Sequence, residues 1–192
     1  MEESFSGEEL RDKLIIAGIG EIESHGFADF SLRRVANACG ASCAAPYRHF
    51  KNKESFLFEI VRYINNQWAL LEAQIEEVFR EDTAKMLLEL CMANIRFRIA
   101  NSNFRAVLMI QEQELAPALR EEISHMAKKT RTLCAELCRE RGLDGVREKE
   151  MIFTMRSYIY GAALMIHTGE MPNSEESMAL IRARLRAELE RA

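Results

Sequence analysis

A chain of 192 residues, 48% of them hydrophobic, can bury a substantial core without disulfide staples, and a formal net charge of −4 excludes a generally basic nucleic-acid coat. Its five cysteines lack the paired spacing of a secreted framework, and no apolar run reaches the roughly eighteen residues of a membrane span. No apolar leader follows the acidic N-terminal stretch, so the expected setting is cytoplasmic and reduced, with no membrane partner.

Leu, Ala, Glu, Arg and Met dominate, and only three prolines and nine glycines punctuate the chain, so an all-α fold of about nine helices joined by short turns is predicted. The first runs roughly from Gly7 to His25, with Leu14, Ile15, Ile19 and Ile22 at helical spacing and Gly26 as its stop. Ser31 reads as the N-cap of a short second helix that Gly40 ends at Cys39, with Phe30 and Val35 as a staple, and a third begins after Ser42. Asn52 caps a long fourth helix, Lys53 to Phe79. Later helices are expected at Thr83 to Ala100, Phe104 to Gln113, Pro117 to Arg141, Arg147 to Thr168 and Ser174 to Arg191. The organisation is a head, 1–53, joined through the fourth helix to a helical body, 54–192.

The charge total hides a local asymmetry. From Phe27 to Lys53 the chain carries Arg33, Arg34, Arg48, Lys51 and Lys53 against Asp29 alone. Within it, a short capped helix, a tight turn with Gly40 and a second short helix make a helix-turn-helix pattern. The second helix opens on Cys43, Ala44 and Ala45, small enough for close backbone approach and thymine-methyl contact. Arg48 suits a guanine edge, and His49 can donate or accept. The hydroxyls of Ser31, Ser42 and Tyr47 and the cations of Arg33, Arg34 and Lys53 suit phosphate, which sets register, not sequence.

On these residues the chain resembles the tetracycline-repressor (TetR) family of transcriptional regulators. Leu14, Ile15, Ala17, Ile22, Gly26, Ser31, Val35, Ala36, Gly40, Ser42, Tyr47, Phe50 and Lys53 fall in register with that family's head. Glu21 departs from it, standing where an apolar residue is common, and Pro46 in the third helix is expected to cost about one backbone bond. The resemblance implies a body that binds a small molecule among its middle helices and dimerises through its last two.

The residues of the body bear on both implications. Met151 to His167 is apolar nearly all round, with Gly161, Ala162 and Ala163 allowing close approach, and the last helix places Met178, Ile181, Leu185 and Leu189 on one stripe. Two copies pairing both helices into a four-helix bundle would bury these surfaces, and the rival reading is intramolecular core. For an effector, Trp68, Phe79, Met86, Met92, Phe97, Phe104, Met109 and Met126 offer a deformable apolar lining, and Glu112 a carboxylate toward a cationic ligand, leaving effector charge open. Cys134 and Cys138 share a helix face with His125 earlier on the same helix, which admits a metal or thiol sensor, with small apolar packing as the default. No phosphate loop, zinc-protease motif or nucleophile elbow occurs, so neither catalytic residues nor cofactor nor metal site is expected. The expected function is a homodimeric repressor that binds palindromic double-stranded DNA and is released by a small hydrophobic or amphipathic effector. The alternative is a DNA-associated factor of the same fold regulated by a protein partner.

Overall fold

The computed structural model describes residues 7–26, 28–101 and 117–191, and these are all-helical, without a strand. In chain order they form α1 (Gly7–His25), α2 (Leu32–Ala38), α3 (Ala45–His49), α4 (Lys53–Phe79), α5 (Thr83–Ala100), α6 (Pro117–Ser124), α7 (Lys128–Glu140), α8 (Gly145–His167) and α9 (Glu175–Arg191). The helix expected at Phe104 to Gln113 lies outside the described residues. The single helix expected from Pro117 to Arg141 is instead interrupted by a 3₁₀ turn at His125–Ala127 that buries Met126. Neither Gly nor Pro marks that break.

Local signals account for most of the boundaries. Gly26 N–H returns to Ile22 C=O at 2.8 Å to close α1. The Ser31 hydroxyl accepts from Arg34 N–H to open α2, and Asn52 and Ser55 exchange backbone N–H to side-chain oxygen bonds, 2.8 and 3.0 Å, to open α4. The Asp82 carboxylate caps α5 through Lys85 N–H, and the Asp144 carboxylate caps α8 through Val146 and Arg147 N–H.

The described residues divide into two compact units, 7–66 with 117–123, and 67–101 with 124–191. The division falls within α4. The first unit is cored by Leu14, Ile15, Ile19 and Ile22 of α1, Val35 and Ala36 of α2, and Phe50, Phe56, Leu57 and Ile60 around the start of α4. Packing there is tight: a Cβ placed on Gly18 would overlap the edge of the Phe56 ring.

The second unit is built around α5, which packs on α7, α8 and α9. The Glu89 carboxylate accepts a two-pronged bond from the Arg182 guanidinium, tying α5 to α9. The α9 stripe of Met178, Ile181, Leu185 and Leu189 is fully used inside this unit, each residue buried. That corrects the expectation that a second copy buries it, and the intramolecular reading holds for these four residues. Left outside are Phe153, Leu164 and Met165 of α8 and Leu180 of α9, all exposed.

Candidate nucleic-acid interface

The helix-turn-helix rests on α2, a glycine turn and α3. Gly40 takes a φ of +65°, which only glycine adopts without strain. Its N–H reaches Asn37 C=O and the next N–H, of Ala41, reaches Ala36 C=O at 2.9 Å, a two-bond stop that fixes where the chain leaves α2. α3 is short, with Pro46 in its first turn. Proline there removes an N–H that has no intrahelical partner anyway, so the expected loss of a backbone bond does not occur.

Helix α3 starts at Ala45, later than the sequence suggests, and this settles which small residues face outward. Ser42, Cys43 and Ala44 are exposed, whereas Ala45 is only 6% exposed and Pro46 is buried beside it. Ala45 is therefore core, which corrects its expected place against the bases. Tyr47 is 61% exposed, Arg48 is exposed, and His49 is partly buried with its ring 6.0 Å from that of Phe50. Cys43 Sγ lies 3.9 Å from the Asn37 side-chain oxygen.

The cations differ in how far the fold occupies them. Arg33 and Arg48 are exposed and make no ion pair among the described residues. Lys51, whose sequence position spoke only to local charge, is exposed as well. Lys53 donates to Ala28 C=O at 3.3 Å and lies over the Phe30 ring, so it braces the loop before α2. Arg34 is spent internally: its Nε donates to Glu21 Oε1 at 2.6 Å and its Nη2 to Asp29 C=O.

Glu21, an anomaly in sequence, is the centre of that arrangement. Its carboxylate is 8% exposed and accepts from Arg34 and from the backbone N–H of Ser31, with His25 Nδ1 at 3.3 Å. Burial pushes this carboxyl up, but the Arg34 bond and charge, then His25 and the Ser31 N–H, outweigh it and hold it below its ordinary value of 4.5. An apolar residue here would not tie α1 to the N-cap of α2.

The expected effector residues are mostly core. Trp68 is fully buried with its ring 5.6 Å from Phe97, edge to face, and Met86, Met92 and Met126 are buried. Phe97 also lines an open groove of about 390 Å³ with Leu71, Ile75 and Phe79. Phe104, Met109 and Glu112 lie outside the described residues. Cys91, Cys134 and Cys138 are buried, and burial pushes the Cys134 thiol up to about 12, so it stays protonated and behaves as a small apolar group. No cluster of three metal-ligating side chains occurs among the described residues, and none of their helices is long and apolar enough to cross a membrane.

Residues 14–60 match the family model of bacterial regulatory proteins of the tetR family. No curated protein matches the chain. Among solved structures, a TetR family transcription regulator from Marinobacter aquaeolei superposes with a TM-score of 0.76 at 19% identity, covering 94% of this chain and 95% of that one. The Bacillus subtilis transcriptional regulator FadR, in complex with stearoyl-CoA, gives 0.70 at 15% identity over 93% and 97%. The fatty acid degradation regulator FadR of Bacillus halodurans gives 0.71 at 18% identity over 93% of each chain. Residues 14–60, from within α1 to within α4, thus match the head of the tetR family of bacterial regulatory proteins, and the chain shares the all-helical fold of these regulators.

Proposed function

We propose that this chain is a homodimeric transcriptional repressor that binds palindromic DNA through its heads, residues 1–53, and is released when a small apolar or amphipathic effector binds the body, residues 54–192. The observation that carries the reading is the outward presentation of Tyr47 and Arg48 on α3 from a tightly cored three-helix head. Arg48 reads a base edge, with Ser42, Cys43 and Ala44 close to the groove floor, while Ser31, Arg33, Tyr47 and Lys53 position the phosphates. Arg34, neutralised by Glu21, contributes little charge to that footprint. Replacing Arg48 with Ala costs about 1–3 kcal/mol and relaxes preference at one base position, whereas Arg33→Ala weakens all duplexes alike and lowers the salt slope by about one. Titrating labelled duplexes of matched and scrambled sequence at several salt concentrations separates the two, and equal loss of specificity from both changes rejects this division of roles.

Dimerisation through α8 and α9 is supported by Phe153, 73% exposed, and by the neighbouring Leu164, Met165 and Leu180. Space around Gly161 is open, with nothing within 4 Å of a Cβ placed there, so a side chain at this position leaves the single chain undisturbed. Gly161→Glu therefore splits a dimer whose interface is this face, at a cost of several kcal/mol for the buried charge. Sedimentation showing an intact dimer would place the interface elsewhere.

Release runs through α4, one uninterrupted helix from Lys53 to Phe79 that carries Trp68 at its middle. A coupling of about 1–3 kcal/mol gives a 5- to 150-fold switch, and reciprocity requires operator DNA to weaken effector binding by the same factor. Calorimetric titration of effector with and without operator tests this. Identical affinities would remove the effector from regulation and favour a protein partner.

A further inference from the structure

We propose that Arg98, Arg156 and Tyr160 form an oxyanion-binding site within the second unit, and that the effector is an amphipathic anion whose carboxylate or phosphate head occupies it. Arg98, near the end of α5, donates from Nε to the buried Asn94 Oδ1 at 2.7 Å, and its guanidinium carbon lies 4.4 Å from the centroid of the Tyr160 ring. Arg156 of α8 approaches the same ring at 5.5 Å and donates from Nη2 to the Tyr160 hydroxyl at 3.4 Å. Two cations thus share one phenol ring. A ring face attracts a cation but carries no net charge, so the mutual repulsion of the pair is left uncompensated.

No carboxylate pairs with either arginine among the described residues, in contrast to Arg182 of the same unit, which Glu89 answers at two points. The Nε of Arg156 is buried without any hydrogen-bond partner. Such an atom costs free energy in the ligand-free state that a bound oxygen recovers. Burial holds the Arg98 guanidinium below its ordinary value, with the Arg156 charge adding to it and Tyr160 opposing it, as expected for a buried cation lacking a carboxylate partner. The Tyr160 hydroxyl accepts from Arg156, which leaves its proton to donate to an incoming oxygen.

Access and the tail come from the same face of α8. Arg156 and Tyr160 line a groove of about 460 Å³ together with Lys149, Ile152, Phe153 and Ser157. Lys149 adds a third cation at the rim, Ser157 a hydroxyl, and Ile152 an apolar bed for a chain, with Phe153, assigned above to the dimer face, at its border. Cations at the head and apolar surface beyond it select an anionic amphipath over a neutral or cationic one.

The regulatory half of the proposal rests on the effector reading above, and the experiment keeps the two apart. Full-length protein is titrated calorimetrically with decanoate, decyl phosphate, decanol and decyltrimethylammonium below their micellar concentrations. Decanoate or decyl phosphate binds saturably, the tighter of the two identifying the head group, while the cation does not. Arg156→Gln and Arg98→Gln each weaken the anion by about 10- to 100-fold, and Arg156→Lys, which keeps charge but loses the planar fork, recovers part of it. Without anion, Arg156→Gln melts no lower than the parent, because it removes a repulsion. Comparable binding of the cationic probe, undiminished anion binding by Arg156→Gln, or a lowered melting point with anion binding retained overturns the site. Anion binding that leaves operator affinity unchanged keeps the site and sinks the effector role. Operator release by decanol, with no anion bound, keeps regulation and sinks the site.

Discussion

The two units handle buried charge in opposite ways. In the first, the one buried carboxylate among its described residues, Glu21, is answered by Arg34, His25 and the Ser31 N–H, and the cations without an ion pair, Arg33 and Arg48, stand on the surface. In the second, the cations Arg98 and Arg156 are drawn inward with a phenol between them and no carboxylate. A domain that reads an extended polyanion needs its unspent donors outside, on a scaffold whose own polar groups are satisfied. A domain that receives a small anion needs them inside. Packing is closest at Gly18, closed in by Phe56, whereas Gly20 of the same helix and Gly161 of α8 face open space.

The largest effect is expected where the core of the first unit is tightest, at Gly18 against Phe56. Gly18→Ala gains about 1 kcal/mol of helix propensity but drives a methyl into the fully buried Phe56 ring, an overpacking that costs about 1–3 kcal/mol. The net expectation is a head that melts earlier and loses DNA binding. The single tryptophan, Trp68, lies in the second unit, so its emission reports whether that unit stays folded. A variant more stable than the parent would mean that Phe56 yields, and that the first unit is no tighter than the second.

A smaller effect separates backbone strain from crowding. Gly40→Ala meets no neighbouring atom, yet its φ of +65° costs an L residue about 1–2 kcal/mol. Gly20→Ala, likewise uncrowded but inside α1, instead gains about 0.5–1 kcal/mol. Denaturant midpoints of the two variants moving in the same direction would remove backbone conformation as the reason for glycine at the turn.

What the sequence discloses follows from the range of each interaction. Ser31, Gly26, Gly40 and Asn52 act within a few residues of themselves, so the boundaries they set are legible. The facing of α3 is not, because its start at Ala45 depends on how the turn packs, and a residue's shift rotates a helix by about 100°. Ala45 therefore changes from reader to core. The α9 stripe is legible as an apolar face, but periodicity does not say whether the chain itself or a copy covers it. Arg98 and Arg156, fifty-eight positions apart in sequence, each read alone as a solvated helix charge. Only the packing of α5 on α8 brings them to one ring. Glu21 looks like a departure from the family's head until the loop before α2 closes over it.

Glu21 holds one cation of the head, Arg34, internally and so fixes the geometry around the start of α2. Its carboxyl is held below 4.5 in the folded chain, chiefly by Arg34 once the opposing effect of burial is overcome, with His25 and the Ser31 N–H facing it as well. A depressed folded value means that the stabilisation is fully present above the unfolded value and is lost as pH falls through the folded one. Glu21→Gln keeps the shape and can still accept from Ser31, but it removes that dependence. The stability difference between parent and variant should hold at neutral pH and shrink steadily below about pH 4.5. At neutral pH the change also releases the Arg34 guanidinium, which is part-exposed and near the N-terminus of α2. The variant should then bind matched and scrambled duplexes more tightly by the same factor, with a salt slope steeper by about one. A slope identical to the parent's would mean that Arg34 stays on Asp29 C=O without Glu21, and that the carboxylate's role is confined to stability.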